Sequence, residues 1–347
     1  MILGLVMLSV APAGAQWTER TVSWTSQGLQ PFSGLVADPA TDTIYYLKGT
    51  TVMSYDPATD IWSDLDPVVA TGAVGYGHYE RAFWTATGQA GRVVTFYDDP
   101  QVDVYDAGTN IWYRNPLPTD TYEFSWAQGA LYNPLNGIVW CFWTDNVDDT
   151  HALVGAPYDP ATDIWGQPVE LRFPQDYFWG RMKSATVGTF EYTMDDDATF
   201  IGRHLTFRMY SLLQTPAFPV EEPAEWATVY DLGEGRALAA GGLGLGTAFN
   251  TQVMAVIGTD IFLSGVEASD LTVVYHTATD TWYELAPRPE DDPAEGLRDH
   301  TSTAAAGVVY VRDGSEFWTL AAPFFADGFE SASVAAWSAA TTVSGLR

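Results

Sequence analysis

Tyr55-Asp56-Pro57-Ala58-Thr59-Asp60-Ile61-Trp62 is the stretch whose reading decides the fold. It recurs as Tyr105-Asp106-Ala107-Gly108-Thr109-Asn110-Ile111-Trp112 and as Tyr158-Asp159-Pro160-Ala161-Thr162-Asp163-Ile164-Trp165. A fourth copy is Tyr275-His276-Thr277-Ala278-Thr279-Asp280-Thr281-Trp282. In each copy a tyrosine stands seven residues before a tryptophan, with a short polar run between them. Asp folds the backbone back through its own carboxylate, and Pro presets φ for a turn. The unit therefore reads as strand, tight turn, strand, with one large ring ending the first strand and another opening the second.

With Trp17 and Trp226 added, six marker tryptophans follow one another at intervals of 45 to 61 residues. A period of about 50 residues, one small sheet per repeat, is the signature of a propeller. The expected fold is all-β: a six-bladed β-propeller of four-stranded antiparallel blades, rather than a seven-bladed one. Trp226 is the weak marker, because its preceding tyrosine, Tyr210, is sixteen residues away across a proline-containing insertion. Blade one reads as strands at 32–37, 43–47, 51–55 and 61–65. Blades two and three add strands at 92–97, 102–105, 137–143 and 153–158. Blade four reads as 184–194, 198–203 and 205–212. Blade five follows a glycine-rich run, 233–246, with a strand at 253–257, and that run lacks the strand–GxGxxG–helix context of a dinucleotide site.

The two ends of the chain complete each other. Gln16-Trp17-Thr18-Glu19 looks like the last strand of a repeat whose beginning is missing. Strands expected at 300–305, 308–312 and 316–320 lack a fourth. Residues 17–24 are expected to supply it and close the ring, which removes exposed sheet edges. Residues 1–15 are apolar and end in Ala13-Gly14-Ala15, the pattern of a signal peptide, and are too short to span a bilayer. The expected domains are thus a signal peptide at 1–15, the propeller at 16–321 and a tail at 322–347, in a secreted, cell-surface or periplasmic protein.

Composition narrows the function classes. A chain of 347 residues with 47% hydrophobic and 14% aromatic residues can build one large core of stacked sheets. Forty-four acids against 15 bases give a net charge of −29, which repels phosphate backbones and anionic lipid. Neither a nucleic-acid partner nor membrane insertion is expected, and the chain reads as a monomer. Its one cysteine, Cys141, lies in Val139-Trp140-Cys141-Phe142-Trp143 and reads as a buried structural thiol.

In a four-stranded blade, the link into the first strand and the link between the second and third share one mouth. His78, Arg81, Arg181, Arg236, Arg298 and His300 are expected to gather there as an anion site, with guanidinium forks holding a ligand such as a carboxylated sugar. The same arginines would otherwise pair with acids between blades. Asp-rich turns at 38–42, 56–60, 159–163, 195–197 and 280 collect at the opposite face. They read as Asx turns on a solvated rim in preference to a weak calcium site. No zinc-type ligand spacing is present, and neither catalytic residues nor a cofactor are assigned.

The repeat resembles the kelch repeat over most of residues 17–320. The Tyr-Asp-Pro-x-Thr-Asp-x-Trp units, Pro287-Arg288-Pro289 and Arg298-Asp299-His300 carry the likeness; the family's di-glycine is absent from most blades. The tail, Asp327-Gly328-Phe329-Glu330-Ser331 followed by Trp337-Ser338, is similar to C-terminal segments of secreted bacterial proteins and implies bacterial export. Kelch-type propellers include binding scaffolds, galactose-oxidase-like copper enzymes and sialic acid mutarotases. The resemblance implies an exported scaffold binding a protein or an acidic carbohydrate, with a mutarotase-like or oxidase-like enzyme as the alternative. The copper enzyme's tyrosine–cysteine cofactor and paired histidines are not visible among His78, His151, His204, His276, His300 and Cys141.

Overall fold

The computed structural model describes residues 16–22, 34–70, 79–87, 90–97, 101–117, 124–145, 153–171, 183–187, 190–194, 204–211, 225–231, 253–264, 272–278, 281–285, 301–313 and 316–321. The expected signal peptide and tail lie outside them.

Strand β1 (Gln16–Glu19) comes first, followed by a sheet of β2 (Gly34–Ala37), β3 (Ile44–Lys48), β4 (Thr51–Asp56) and β5 (Ile61–Asp64) in that order. Next come β6 (Val68–Val69), β7 (Tyr79–Thr87), β8 (Ala90–Tyr97), β9 (Gln101–Asp106) and β10 (Ile111–Pro116), with β6 added parallel to the outer edge of β10. The third sheet holds β11 (Phe124–Asn133), β12 (Ile138–Asp145), β13 (Leu153–Asp159) and β14 (Ile164–Trp165), and β15 (Val169–Leu171) also pairs with β13. The fourth is β16 (Lys183–Val187), β17 (Phe190–Met194), β18 (His204–Ser211) and β19 (Glu225–Asp231). The fifth is β20 (Val253–Ile257), β21 (Asp260–Ser264), β22 (Thr272–His276) and β23 (Thr281–Leu285). Last come β24 (Thr301–Ala305), β25 (Val308–Asp313) and β26 (Glu316–Ala321), and β1 pairs antiparallel with β26 to make their fourth strand. The molecule is an all-β propeller of four-stranded antiparallel blades. Five blades are described with their side chains, and the sheet β16–β19 by its backbone pairing.

The fourth sheet corrects the reading of the sequence. The run 184–194 is a hairpin of two strands, with Val187 opposite Phe190. Trp226 stands opposite Arg208 and not opposite a tyrosine, beside a register shift in β18. The insertion displaces the ring pairing that marks the other blades. Residues 198–203 lie outside the described ones.

Elsewhere the repeat unit is explained atom by atom. Tyr55, Tyr105, Tyr158 and Tyr275 stand directly across the strand pair from Trp62, Trp112, Trp165 and Trp282. In the first three pairs the ring centroids are 4.9, 5.4 and 5.0 Å apart. Asp56 caps its turn, accepting from the Ala58 amide at 2.9 Å and the Thr59 hydroxyl at 2.9 Å. These bonds hold its carboxyl below the usual range. Asp159 repeats the arrangement with Ala161 and Thr162, and Asp38 with Ala40 and Thr41. These are the Asx turns expected of Asp-Pro-Ala-Thr. The turns close on Asp42, Asp60, Asn110 and Asp163 at φ of 58°, 57°, 54° and 58°, a left-handed conformation that Asp and Asn tolerate.

The core lies in the seams between blades. On β3, Ile44 and Tyr46 pack toward the closing blade, while Tyr45 and Leu47 pack toward the second. On β8, Val93 meets the first blade, and Val94 and Phe96 meet the third. Alternate side chains thus enter different seams, which is why these strands are apolar at successive positions. First strands line up at the centre: β20 lies beside β24, β24 beside β2, β2 beside β7, and β7 beside β11. Trp17 of β1, opposite Leu320, packs with Phe262, Val274, Val309 and Val311 across the last seam.

Candidate functional site

The mouth named from the sequence is the end where β24 begins and β25 stops, since Thr301 pairs with Arg312. Arg81 lies there, near the start of β7 and in register with Phe96. His78, Arg181, Arg236, Arg298 and His300 lie outside the described residues. Arg181 and Arg298 shortly precede β16 and β24, whereas the first strand of the fifth blade does not begin until Val253, well after Arg236.

At this mouth the structure adds Arg312, which sequence reasoning missed. Ile44, Val93 and Val309 occupy the same place in their blades, opposite Tyr55, Tyr105 and Leu320. Arg312 stands three residues beyond Val309, and Phe96, the partner of Arg81, three beyond Val93. Lys48 is one step past the corresponding Leu47. Basic residues therefore occupy nearly one rung in the closing, first and second blades. Arg312 is buried, with its guanidinium 4.9 Å from the Tyr46 ring centre across the seam. Thr301 also bridges that seam, its hydroxyl accepting from the Leu35 amide at 3.0 Å. Asp313 and Glu316 flank the rung on the β25–β26 link, and Glu316 accepts from the Trp318 indole at 2.7 Å. The only sequence signal for Arg312 is a charge ending an otherwise apolar strand.

Other described charged groups are engaged inside and between blades. Arg92 pairs with Asp106 at 3.2 Å in its own blade and with Asp163 at 3.2 Å in the next. Burial opposes its charge, but Tyr113, Asp163 and Asp106 outweigh that and raise its pKa. Asp163 also accepts from the Tyr113 and Tyr158 hydroxyls, each at 2.7 Å. Burial, then the Asp163 carboxylate, push both phenols well above the ordinary tyrosine range. Arg114 pairs with the fully buried Asp103 at 3.0 Å. In the fifth blade His276 replaces the turn aspartate and bonds through Nδ1 to the buried Asp260 opposite it. Burial raises the Asp260 pKa against the opposing pull of His276. Cys141 is buried in the seam between second and third blades, and burial drives its thiol pKa up, a structural and not a nucleophilic setting. Among the described residues no group of three or more His, Cys, Asp and Glu side chains is placed to hold a metal ion. No helix among them is long and apolar enough to cross a membrane.

The strand order and seams define a β-propeller, and comparison with solved structures agrees. The chain is similar to a gluconolactonase from Xanthomonas campestris, with a TM-score of 0.51 at 8% identity, over 89% of this chain and 97% of that one. It is also similar to Raptor from Chaetomium thermophilum, at a TM-score of 0.49 and 7% identity, over 90% of this chain and 29% of that one. A chain of the mitotic checkpoint complex gives a TM-score of 0.48 at 9% identity, over 92% and 95%. At such identities the likeness is one of fold alone. No protein-family profile matches the sequence, and no curated protein matches it.

Proposed function

We propose that the chain is an exported, kelch-like propeller that acts as a binding scaffold, holding an acidic carbohydrate at the mouth where its first strands begin. In this reading the sheet β16–β19 is the sixth blade and completes a closed ring. Its support is that β16 lies beside both β11 and β20. Export rests on the apolar residues 1–15 with their small-x-small end, and the kelch likeness on the Tyr–turn–Trp pairing.

One observation carries the ligand class: the basic rung of Arg81, Lys48 and Arg312 on three consecutive blades of a chain whose net charge is −29. Such a field does not steer anions inward, so capture there depends on short, forked hydrogen bonds. In sequence, Arg298 and His300 shortly precede β24, the first strand of the blade that carries Arg312. The alternative, a carbohydrate-active enzyme, has in its favour the likeness to a gluconolactonase, which is one of fold.

The test is a thermal-shift screen of uronic, aldonic and sialic acids on residues 16–321, with aldonolactone hydrolysis followed in parallel. Binding to the native state raises the melting temperature. The scaffold reading expects a rise that shrinks with added salt and is lost in Arg81→Ala and Arg298→Ala, both still folded. No rise with any acid refutes the ligand class, and lactone turnover refutes the scaffold in favour of the enzyme.

A further inference from the structure

The residue that closes the turn between the third and fourth strands does two things in every blade where it is described. It accepts a hydrogen bond from its own blade's tyrosine: Tyr55 to Asp60 Oδ1 at 2.8 Å, Tyr105 to Asn110 Oδ1 at 2.9 Å, Tyr158 to Asp163 Oδ1 at 2.7 Å. Its second side-chain bond reaches the chain leaving the preceding blade, and there the three differ. Asp60 Oδ2 accepts from the Thr21 hydroxyl at 3.1 Å. Asn110 Nδ2 donates to the Leu65 carbonyl at 2.7 Å. Asp163 accepts from the Tyr113 hydroxyl, and Arg92 reaches both of its oxygens, at 3.3 and 3.2 Å.

The choice between Asp and Asn follows the neighbour. Where the preceding blade presents donors, a hydroxyl or a guanidinium, the turn closes on an acceptor-only carboxylate. Where it presents a backbone carbonyl, the turn closes on an amide, which can accept from the tyrosine and donate to the carbonyl at once. Main-chain and side-chain bonds reinforce each docking. The Trp62 indole donates to the Thr21 carbonyl at 3.0 Å, Val68 N donates to the Asn110 carbonyl at 3.0 Å, and Asn115 Nδ2 donates to the Asp163 carbonyl at 2.8 Å. Apart from Arg92, which reaches across from β8, these partners come from the strand, or the link after it, that ends the blade before.

We propose that this turn-closing residue is the specificity-determining position of its seam wherever the neighbouring group has a fixed role, as at Asn110 and Asp163, matching donors to acceptors so that the blade accepts the exit segment of its proper predecessor. It is a pairing device built into the repeat, independent of any ligand at the mouth. A carboxylate in place of Asn110 would face the Leu65 carbonyl, acceptor against acceptor. Protonating that carboxyl would restore a donor in the same place.

The experiment measures urea midpoints of the whole chain and of four variants at pH 7 and at about pH 3.5, below the usual carboxylate pKa. Each variant is compared with the parent at the same pH. Asn110→Asp is expected to be less stable than the parent at pH 7 and to lose most of that deficit in acid. Asn110→Ala, which drops both bonds and adds no charge, should show a deficit that does not recover. Asp60→Asn should be close to the parent, because the Thr21 hydroxyl can turn to accept from the new amide. Asp163→Asn should be weaker, without acid recovery, because its amide faces Arg92. An Asn110→Asp deficit that is unchanged in acid, or absent at pH 7, overturns the proposal. So does an Asn110→Asp chain unfolded at both pH values while Asn110→Ala folds.

Discussion

Replacing Trp17 with Ala tests how the molecule is fastened. Trp17 is the one large apolar side chain of β1, is 7% exposed, and fills the seam formed by Phe262, Val274, Val309, Val311 and Leu320. Truncating a buried tryptophan costs about 3–5 kcal/mol, the transfer loss plus the cavity left behind. If the propeller unfolds as one unit, a melting shift of about 2 °C per kcal/mol puts the expected fall at about 6–10 °C. Thr18→Ala is the control: its side chain is exposed, so the change should stay within about 0.5 kcal/mol. Thermal unfolding followed by far-ultraviolet circular dichroism gives both midpoints. A chain starting at Arg20 should melt lower still, because β26 then keeps an unpaired edge, and a peptide of residues 16–19 added in excess should recover part of the loss. An unchanged midpoint for Trp17→Ala would refute the closing role of β1.

Two further outcomes follow from single contacts. A Cβ on Gly91 would lie 1.9 Å from the Trp84 ring, which is stacked on Tyr45 at 5.1 Å, so Gly91→Ala should cost about 1–3 kcal/mol by overpacking and alter the near-ultraviolet dichroism; unchanged values would show that Trp84 does not cover Gly91. Asp260 has its pKa raised by burial, so its contribution to stability is full below the ordinary carboxylate value of about 4 and is lost as pH rises through the higher folded value; Asp260→Asn should flatten that part of the pH–stability profile, and an identical profile would contradict it.

The blades were legible because their signal is local. Tyr55 and Trp62 lie seven residues apart and end up face to face, and the aspartate between them bonds atoms only two or three residues away. The strand that pairs with β26 was legible for the same reason, since Gln16-Trp17 repeats the start of Ile61-Trp62. The first strands β7 and β11 were not delimited, because nothing like Asp-Pro-Ala-Thr introduces them. The hairpin at Val187 and Phe190 was missed because only Gly188-Thr189 interrupts the run 184–194, a weaker mark than Asp-Pro-Ala-Thr. Bonds between blades were beyond reach. Arg92 meets Asp163 from 71 residues away, and only the angular step from one blade to the next brings them together. Arg312 reads as an ordinary strand end until the seam places Tyr46 under it.

The pairing of β1 with β26 also fixes how the molecule responds to load. Gln16 lies opposite Ala321, so both ends of the propeller leave from one point, at the same end of two antiparallel strands. Tension applied between them would part the strands from that end, one rung at a time, in the manner of a zip. A tether at one end alone transmits no such peeling force across the pair. Anchored by either end, the propeller can bear a drag that, shared between both ends, would part β1 from β26.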